Sequence, residues 1–181
     1  MALNITYFVH GTTMDNEKDI ATGWLAGGEL SELGVRQSKE LGQLVAGQKF
    51  DAVFCSDLKR AIDSAQLAFG DKYKIIQDHR LREANYGDFN GKPDEFKNNL
   101  AKYIDTPFAH GESYKDVEKR MADFLTFLQK NYADTNVAVV AHQAPQLALE
   151  VLCGHKTWLQ AIAEDWRHTK AWRPGWEYII N

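Results

Sequence analysis

The chain lacks most of the features that would indicate a membrane, nucleic-acid-binding or disulfide-stabilised protein. Its only cysteines, Cys55 and Cys153, lie in apolar runs without CxxC spacing, and we interpret them as reduced core thiols of a cytoplasmic protein. No apolar run approaches the roughly 18 residues of a membrane span, and the N-terminus has no signal-peptide pattern. With 21 basic and 25 acidic side chains, the net charge of −4 gives no basic excess for binding nucleic acid.

Repeats, low-complexity tracts and linkers are also missing, so nothing in the sequence divides the chain. Hydrophobic residues make up 44% and charged residues 25%, which is ordinary for a globular protein. A chain of 181 residues buries roughly 70% of its unfolded surface and needs no disulfide or metal to fold. We therefore predict one domain over residues 1–181.

Short apolar runs alternate with helical patterns along the chain. Near-continuous apolar runs predict strands that are buried on both faces, as in a parallel sheet with helices on either side. The fold class predicted is α/β, a three-layer sandwich with a mainly parallel central sheet and helices on both faces. Strands are predicted at residues 5–9, 52–55, 74–77, 137–141 and 176–180, and helices after Ser31, over 57–69, from Ser113 and over 144–153.

Polar side chains follow three of these predicted strands. His10 follows the first, Ser56 and Arg60 the second, and His142 a later one. Ligands of open parallel sheets bind outside the carboxyl ends of the strands, where helix N-termini favour anions. The pattern favours a phosphate site, although such histidines are often structural, Arg60 alone suits a helix surface, and Glu83 alone suits an ordinary loop carboxylate.

Six segments in order then carry more specific motifs, and together they span most of the chain. They are VHGTTMDN, ELSELGVRQSKELG, FCSDLKRAIDSA, LREANYGDFNG, HGESYKDVEKR and VVAHQAP. Each is weak alone, but the ordered set resembles the histidine phosphatase superfamily, in its phosphoglycerate mutase-like branch.

The resemblance implies a role for each matched residue. His10 corresponds to the histidine that is phosphorylated, Glu83 to the proton donor, Arg60 to a phosphate-binding arginine and His142 to the second histidine of the site. No metal and no cofactor is implied. The residues expected to contact phosphate or substrate are Thr13, Asn16, Thr22, Gly23, Tyr86 and Gln143.

The largest departure from the family pattern is Val9. The family has an arginine immediately before the nucleophilic histidine, where it binds the transferred phosphoryl group, but this chain reads FVHG. Loss of one transition-state donor predicts a rate lower by ~10²–10³. Lys59, Arg82 and Lys92 are the nearby candidates in sequence for the missing charge.

We therefore predict an enzyme that hydrolyses a small-molecule phosphate monoester through a phosphohistidine. One alternative is a phosphoglycerate mutase, because ATGW and the Tyr86–Gly87 pair resemble mutase segments, although Asp94 stands where a mutase lysine is expected. The other is a phosphate-binding protein whose catalysis Val9 has weakened. The expected partner is a phosphorylated small molecule, with no nucleic acid, no membrane and a possible homodimer.

The C-terminal segment does not match the family motifs. It places three tryptophans, Trp166, Trp172 and Trp176, close together with Arg167 and Arg173. We expect the rings to cover the core beside a last strand. The alternative is a lid or a dimer contact, with the two arginines offering charge to a substrate.

Overall fold

The computed structural model describes residues 2–169 and 175–180. The strands are β1 (Leu3–Val9), β2 (Ile20–Ala21), β3 (Ala52–Cys55), β4 (Ile75–Gln77), β5 (Lys92–Pro93), β6 (Asn136–Ala141) and β7 (Trp176–Ile180). The α-helices are α1 (Glu32–Leu44), α2 (Lys59–Phe69), α3 (Tyr114–Asn131), α4 (Gln143–Leu152) and α5 (Trp158–Ala163). Two 3₁₀ helices, Asp94–Tyr103 and Trp166–Thr169, also bear on the site.

Five strands form the central sheet in the order β4-β3-β6-β1-β7. Every pairing is parallel except that of β7, which runs antiparallel to β1 at the sheet edge. β2 and β5 form a separate two-stranded ribbon. Within the described residues, no helix is both long and apolar enough to cross a bilayer.

Alternating side chains of the sheet enter two hydrophobic layers. Val53 and Val140 pack on one face with residues of α1 and α2, such as Leu41. Tyr7 and Phe54 pack on the other face with residues of α3 and α4. The predicted three-layer α/β arrangement with a mainly parallel sheet is confirmed, because helices pack on both faces of the sheet.

The helix starts predicted at two serines are confirmed. The Ser31 hydroxyl accepts a hydrogen bond from the Gly34 N–H at the start of α1. Ser113 and Asp116 form a reciprocal capping box at the start of α3. The sequence analysis missed α5, although Thr157 and Gln160 form a second capping box at its start.

Both cysteines are free thiols in the structure. Cys55 is fully buried in β3, and burial, with a smaller effect of Asp57, raises the pKa of its thiol to about 12. Burial raises the pKa of the partly buried Cys153 to about 11. The protonated thiol is therefore the favoured form of both cysteines at neutral pH.

Two glycines allow the loop after β1 to lie directly against α1. A Cβ on Gly11 would lie 2.4 Å from the Gly34 carbonyl oxygen, and a Cβ on Gly34 would lie 2.0 Å from the Thr12 carbonyl oxygen. The Gly11 N–H also donates to the Ser64 hydroxyl on α2. The loop that carries His10 is thus fixed by backbone contact with two helices.

Replacing Gly34 by alanine should therefore destabilise the fold. The added methyl group meets backbone that cannot rotate away, so we expect Gly34→Ala to lower the free energy of unfolding by roughly 1–3 kcal/mol. Gly47→Ala is the matched control, because nothing lies within 4 Å of its Cβ position. We expect the control to change stability by less than about 0.5 kcal/mol. Equal effects of the two variants in urea denaturation would contradict this packing argument.

Candidate active site

A cavity of about 550 Å³ opens beside His10, just beyond the end of β1. Its wall combines apolar side chains with groups of both charges. Among its lining residues are Val9, His10, Asn16, Glu83, Asp94, Lys97, Gln143, Asp165 and Arg167. The carboxyl edge of the sheet therefore carries the ionisable groups, as the strand ends predicted.

The pairing of β1 with β6 brings two histidines together. Val9 is the register partner of Ala141, and the His10 N–H donates to the Ala141 carbonyl oxygen at 3.0 Å. His10 and His142 are the next residues of the two strands, and their ring centroids lie 5.0 Å apart at an interplanar angle of 62°. The two imidazoles expected to share one anion are thus in contact.

The hydrogen bond of His10 determines which ring nitrogen is available. Its Nδ1 lies 2.7 Å from the Gly11 carbonyl oxygen. Because a carbonyl can only accept, Nδ1 must carry the proton in the neutral ring. The lone pair then lies on Nε2, which is the arrangement that a nucleophilic imidazole requires.

Burial and a neighbouring cation keep both imidazoles neutral. Burial, followed by the Arg60 guanidinium, lowers the pKa of His10 to about 3. The same two causes hold the pKa of His142 well below its ordinary range, with a smaller contribution from His10. Neither ring is protonated at neutral pH.

His142 is buried more deeply than His10. Its backbone N–H and carbonyl both bond to the Tyr7 hydroxyl, at 3.0 and 2.7 Å, which fixes the residue ahead of α4. The side chain has no exposed surface, whereas His10 is half-buried. Neither ring nitrogen of His142 has a hydrogen-bond partner among the residues that the structure describes.

The Glu83 carboxylate caps the N-terminus of α4. Its Oε1 accepts from the N–H groups of Ala84 and Ala144, both at 2.9 Å, and its Oε2 accepts from the Gln143 N–H at 3.3 Å. Glu83 also lines the cavity. The Glu83 carboxylate is therefore held at the two residues that follow His142 in the chain. Its longest hydrogen bond, from the Gln143 N–H, is the one to Oε2.

Arg60 lies in the first turn of α2, is 3% exposed and does not appear in the cavity lining. Its Nη2 donates to the Gly23 carbonyl oxygen at 2.9 Å. Its Nη1 is buried and has no partner within the described part of the chain. A charged donor without an acceptor is costly when buried, so this group is suited to bind an anion.

The other expected contact residues divide into two groups. Asn16 and Gln143 line the cavity. Thr13, Thr22, Gly23 and Tyr86 do not appear in its lining, and the first three have local structural partners. Thr13 and Asn16 exchange two hydrogen bonds, Thr22 donates to Asp15, and Gly23 has a positive φ of 57° with its Cβ position occupied by Asn90. Tyr86 is buried against Phe96 and Phe108.

The structure places none of the three cations named from the sequence in the cavity lining. Lys59 pairs with Asp63 at 2.7 Å on the surface of α2. Arg82 makes two 2.7 Å bonds to Asp57, and Lys92 is exposed in β5. Among the described residues, the lysine and arginine side chains that line the cavity are Lys97 and Arg167.

Lys97 and Asp165 are residues of the cavity wall that sequence reasoning missed. Burial lowers the pKa of Lys97, and its ammonium lies 5.6 Å from the centre of the Tyr86 ring. The Asp165 carboxylate accepts a hydrogen bond from the Gln143 side-chain amide and forms an ion pair with the Arg167 guanidinium. No motif surrounds either residue, so the sequence contained no signal for their positions.

Arg120 of α3 holds the segment that ends at Glu83. Its Nη1 donates to the carbonyl oxygens of Arg80 and Arg82, and its Nη2 donates to that of Glu83. The Arg120 guanidinium is itself paired with Glu112 at 2.9 Å. The HGESYKDVEKR segment thus acts by positioning the Glu83 backbone.

The C-terminal tryptophans that the structure describes pack beside the core. Trp176 of β7 is 4% exposed and meets Tyr7 edge-on, with centroids 6.4 Å apart. The ring centroid of Trp166 lies 6.1 Å from that of Trp176, and Trp166 also lines the cavity. The expectations for Trp172 and Arg173 fall outside the described residues.

Within residues 2–169 and 175–180, no group of three or more His, Cys, Asp or Glu side chains is arranged to hold a metal ion. The groups placed around His10 are nucleophilic, acidic and cationic side chains.

Known proteins are similar to this chain in sequence and in fold. The chain is 35% identical to a fructose-2,6-bisphosphatase TIGAR of Xenopus tropicalis over 135 residues, which are 68% of this chain and 49% of that protein. It is 29% identical to a 2,3-bisphosphoglycerate-dependent phosphoglycerate mutase of Methylorubrum populi over 150 residues, or 74% of this chain and 70% of the mutase. This chain therefore spans about half the length of the Xenopus relative.

A solved structure of a mycobacterial glucosyl-3-phosphoglycerate phosphatase with VO3 superimposes on 88% of this chain and 86% of its own. The TM-score is 0.75 and the sequence identity 28%. The sequence profile of the histidine phosphatase superfamily (branch 1) matches residues 7–173. The match includes the segments that carry His10, Arg60, Glu83 and His142, and this chain belongs to the histidine phosphatase superfamily (branch 1).

Proposed function

We propose that this protein hydrolyses small-molecule phosphate monoesters through a phosphohistidine at His10. The observation that carries the proposal is the half-buried, neutral imidazole of His10, whose Nδ1 is bound to Gly11 and whose Nε2 lone pair is free. A nucleophile needs an available lone pair in a site that binds the electrophile. The 550 Å³ cavity beside His10 has room for a small ester.

The first step transfers the phosphoryl group to the protein. Nε2 of His10 attacks phosphorus, the P–O ester bond breaks, and its electron pair goes to the departing oxygen. Glu83 in its acid form gives that oxygen a proton, so an alcohol leaves. Glu83 lines the same cavity as His10, which supports this role.

The second step returns both groups to their starting state. A water molecule attacks phosphorus while Glu83 accepts its proton, the P–N bond breaks, and the electron pair returns to Nε2. Inorganic phosphate then leaves. The unpaired Nη1 of Arg60 and the ring of His142 would donate to the equatorial oxygens, where positioning and electrostatics supply most of the catalysis in phosphoryl transfer.

A phosphoglycerate mutase is the second candidate, supported by the Methylorubrum relative. Mutases place a lysine where this chain has Asp94, and Asp94 lines the cavity. A carboxylate there disfavours a second anionic group at that part of the wall. We therefore favour hydrolysis, for which the Xenopus relative and the mycobacterial structure are parallels.

Three further expectations stay predictions. They are a single domain over residues 1–181, a cytoplasmic location and a possible homodimer.

The phosphohistidine can be trapped directly. We expect brief incubation with ³²P-labelled phosphate monoester, followed by quenching in base, to leave acid-labile phosphate on His10 and to release inorganic phosphate on longer incubation. His10→Ala should lose both signals, whereas His79→Gln, which changes an exposed histidine outside the cavity, should keep both.

Other outcomes of this experiment assign a different function. Turnover that survives His10→Ala would refute the mechanism. Phosphate or vanadate binding without turnover would indicate a binding protein. Interconversion of 2- and 3-phosphoglycerate that requires a bisphosphate primer, with little phosphate released, would indicate a mutase.

Glu83→Gln should slow the reaction according to the leaving group. Without a proton donor, we expect hydrolysis of an alkyl phosphate to fall ~10²–10⁴-fold, because an alkoxide is a poor leaving group. Hydrolysis of p-nitrophenyl phosphate should fall much less, because its leaving group needs no proton. Asp94→Asn removes another carboxylate of the same cavity and should affect both substrates alike. Equal losses on the two substrates with Glu83→Gln would exclude Glu83 as the acid.

The lowered pKa of His10 predicts how stability depends on pH. Between the ordinary value of 6.5 and the folded value of about 3, the unfolded chain binds a proton that the folded chain does not. Stability should therefore fall as pH falls, by up to about 2 kcal/mol from His10 between pH 7 and pH 5. Denaturation of His10→Gln should show a weaker pH dependence than the parent, and His79→Gln should match the parent. An unchanged dependence in His10→Gln would show that the imidazole titrates normally.

A further inference from the structure

The cavity has an apolar wall where strand β1 ends. Val9 lines the cavity next to His10 and packs partly against the core, so β1 itself brings no cation to this point. The enzymes that this chain resembles have a guanidinium at this position. A guanidinium does line the same cavity, but it comes from the 3₁₀ helix Trp166–Thr169 near the C-terminus.

Arg167 is held in place by a carboxylate. Its Nη1 donates to Asp165 Oδ1 at 2.7 Å, and its backbone N–H donates to the same oxygen at 3.1 Å. The other oxygen of Asp165 accepts from the side-chain amide of Gln143, the residue after His142. The guanidinium is thus tied through Asp165 to the N-terminus of α4, where Glu83 also binds.

One nitrogen of Arg167 is left for a ligand. Its Nη2 is buried and has no hydrogen-bond partner within residues 2–169 and 175–180. Guanidinium is always protonated, so a buried Nη2 without an acceptor is a costly arrangement unless an anion is bound. Its charge also contributes to lowering the pKa of His10 and opposes the raised pKa of Tyr7, which places it near the end of β1.

We propose that Arg167 binds the transferred phosphoryl group and supplies from the C-terminal segment the guanidinium that β1 lacks at Val9. The proposal rests on the phosphatase function argued above. Its geometry is that of a fork: Nη1 is anchored on Asp165, and Nη2 donates to a phosphate oxygen. The buried Nη1 of Arg60 on α2 is a second unpaired guanidinium nitrogen among the described residues.

Lys97 is the other cation among the lining residues, and it is less suited to this role. Its ammonium lies 3.9 Å from Asp94 and over the Tyr86 ring, on the 3₁₀ helix Asp94–Tyr103. An ammonium is a point charge, whereas a guanidinium can hold a carboxylate and a phosphate with two different nitrogens. Its charge also contributes less than that of Arg167 to lowering the pKa of His10.

A four-protein comparison tests the proposal: the parent, Arg167→Ala, Val9→Arg and the double variant. We expect Arg167→Ala to lower kcat/KM by ~10²–10³, the loss seen when one transition-state donor is removed. It should also weaken binding of inorganic phosphate and vanadate, measured by calorimetry. Val9→Arg should restore most of both losses in the Arg167→Ala background and add little to the parent.

This rescue separates phosphate binding from a structural role for Arg167. If the side chain only neutralises the buried Asp165, its loss lowers the melting temperature and an arginine at position 9 restores nothing. Lys156→Ala is the matched control, because it removes a cation paired with carboxylates outside this cavity and should leave phosphate binding unchanged. Arg167→Lys should give an intermediate loss, and it tests the proposal even where Val9→Arg fails to fold.

Three results would overturn the proposal. They are unchanged phosphate affinity in Arg167→Ala, an equal gain from Val9→Arg in both backgrounds, and a loss of activity and affinity in Arg167→Ala that Val9→Arg does not restore although the double variant folds. Phosphate binding that depends on Arg167 in a protein without turnover would instead reject the hydrolase function while keeping the binding role. The experiment can therefore reject the hydrolase function and the phosphate-binding role of Arg167 independently of each other.

Discussion

The site depends on the register between two parallel strands. Because Val9 pairs with Ala141, the residues that follow them, His10 and His142, leave the sheet side by side and their rings touch. A register shift of one residue would turn one of the two strands over and send its side chains to the opposite helix layer. Such a shift would move apolar side chains out of the hydrophobic layers on the two faces of the sheet. The packing of the core therefore also fixes the register that brings the two imidazoles into contact.

Burial and one neighbouring cation then set the chemistry of that pair. Burial, followed by the Arg60 guanidinium in the first turn of α2, lowers the pKa of both histidines and keeps them neutral. A neutral His10 keeps its lone pair, and a neutral His142 still has one N–H to donate. The same cation that would bind a phosphate oxygen thus also keeps the nucleophile unprotonated.

The sequence predicted the parts of the site that follow from regular structure. Apolar strands and helix caps indicate where β1 and β6 end, so His10 and His142 could be placed at one edge before the structure was known. Lys97 comes from a 3₁₀ segment that carries no motif, so nothing in the sequence indicated that its side chain enters a cavity. Arg167 was named only in the alternative interpretation of the C-terminal segment, because no motif fixed its position. Lys59, a candidate for the missing charge, pairs instead with Asp63 four residues further along α2. Proximity in sequence is therefore a poor guide to which cation reaches an anion.

The element that carries a phosphate-binding arginine also determines which interactions hold that arginine in place. An arginine on β1 would be held by the strand ladder, which opens only when the sheet unfolds. Arg167 is held instead by the ion pair with Asp165, in a segment of four residues. Asp165, which precedes this segment, also binds the Gln143 amide, so one carboxylate connects the guanidinium to α4. Local opening of short segments costs much less free energy than global unfolding. Loss of the ion pair with Asp165 would therefore release Arg167 while the sheet stays folded.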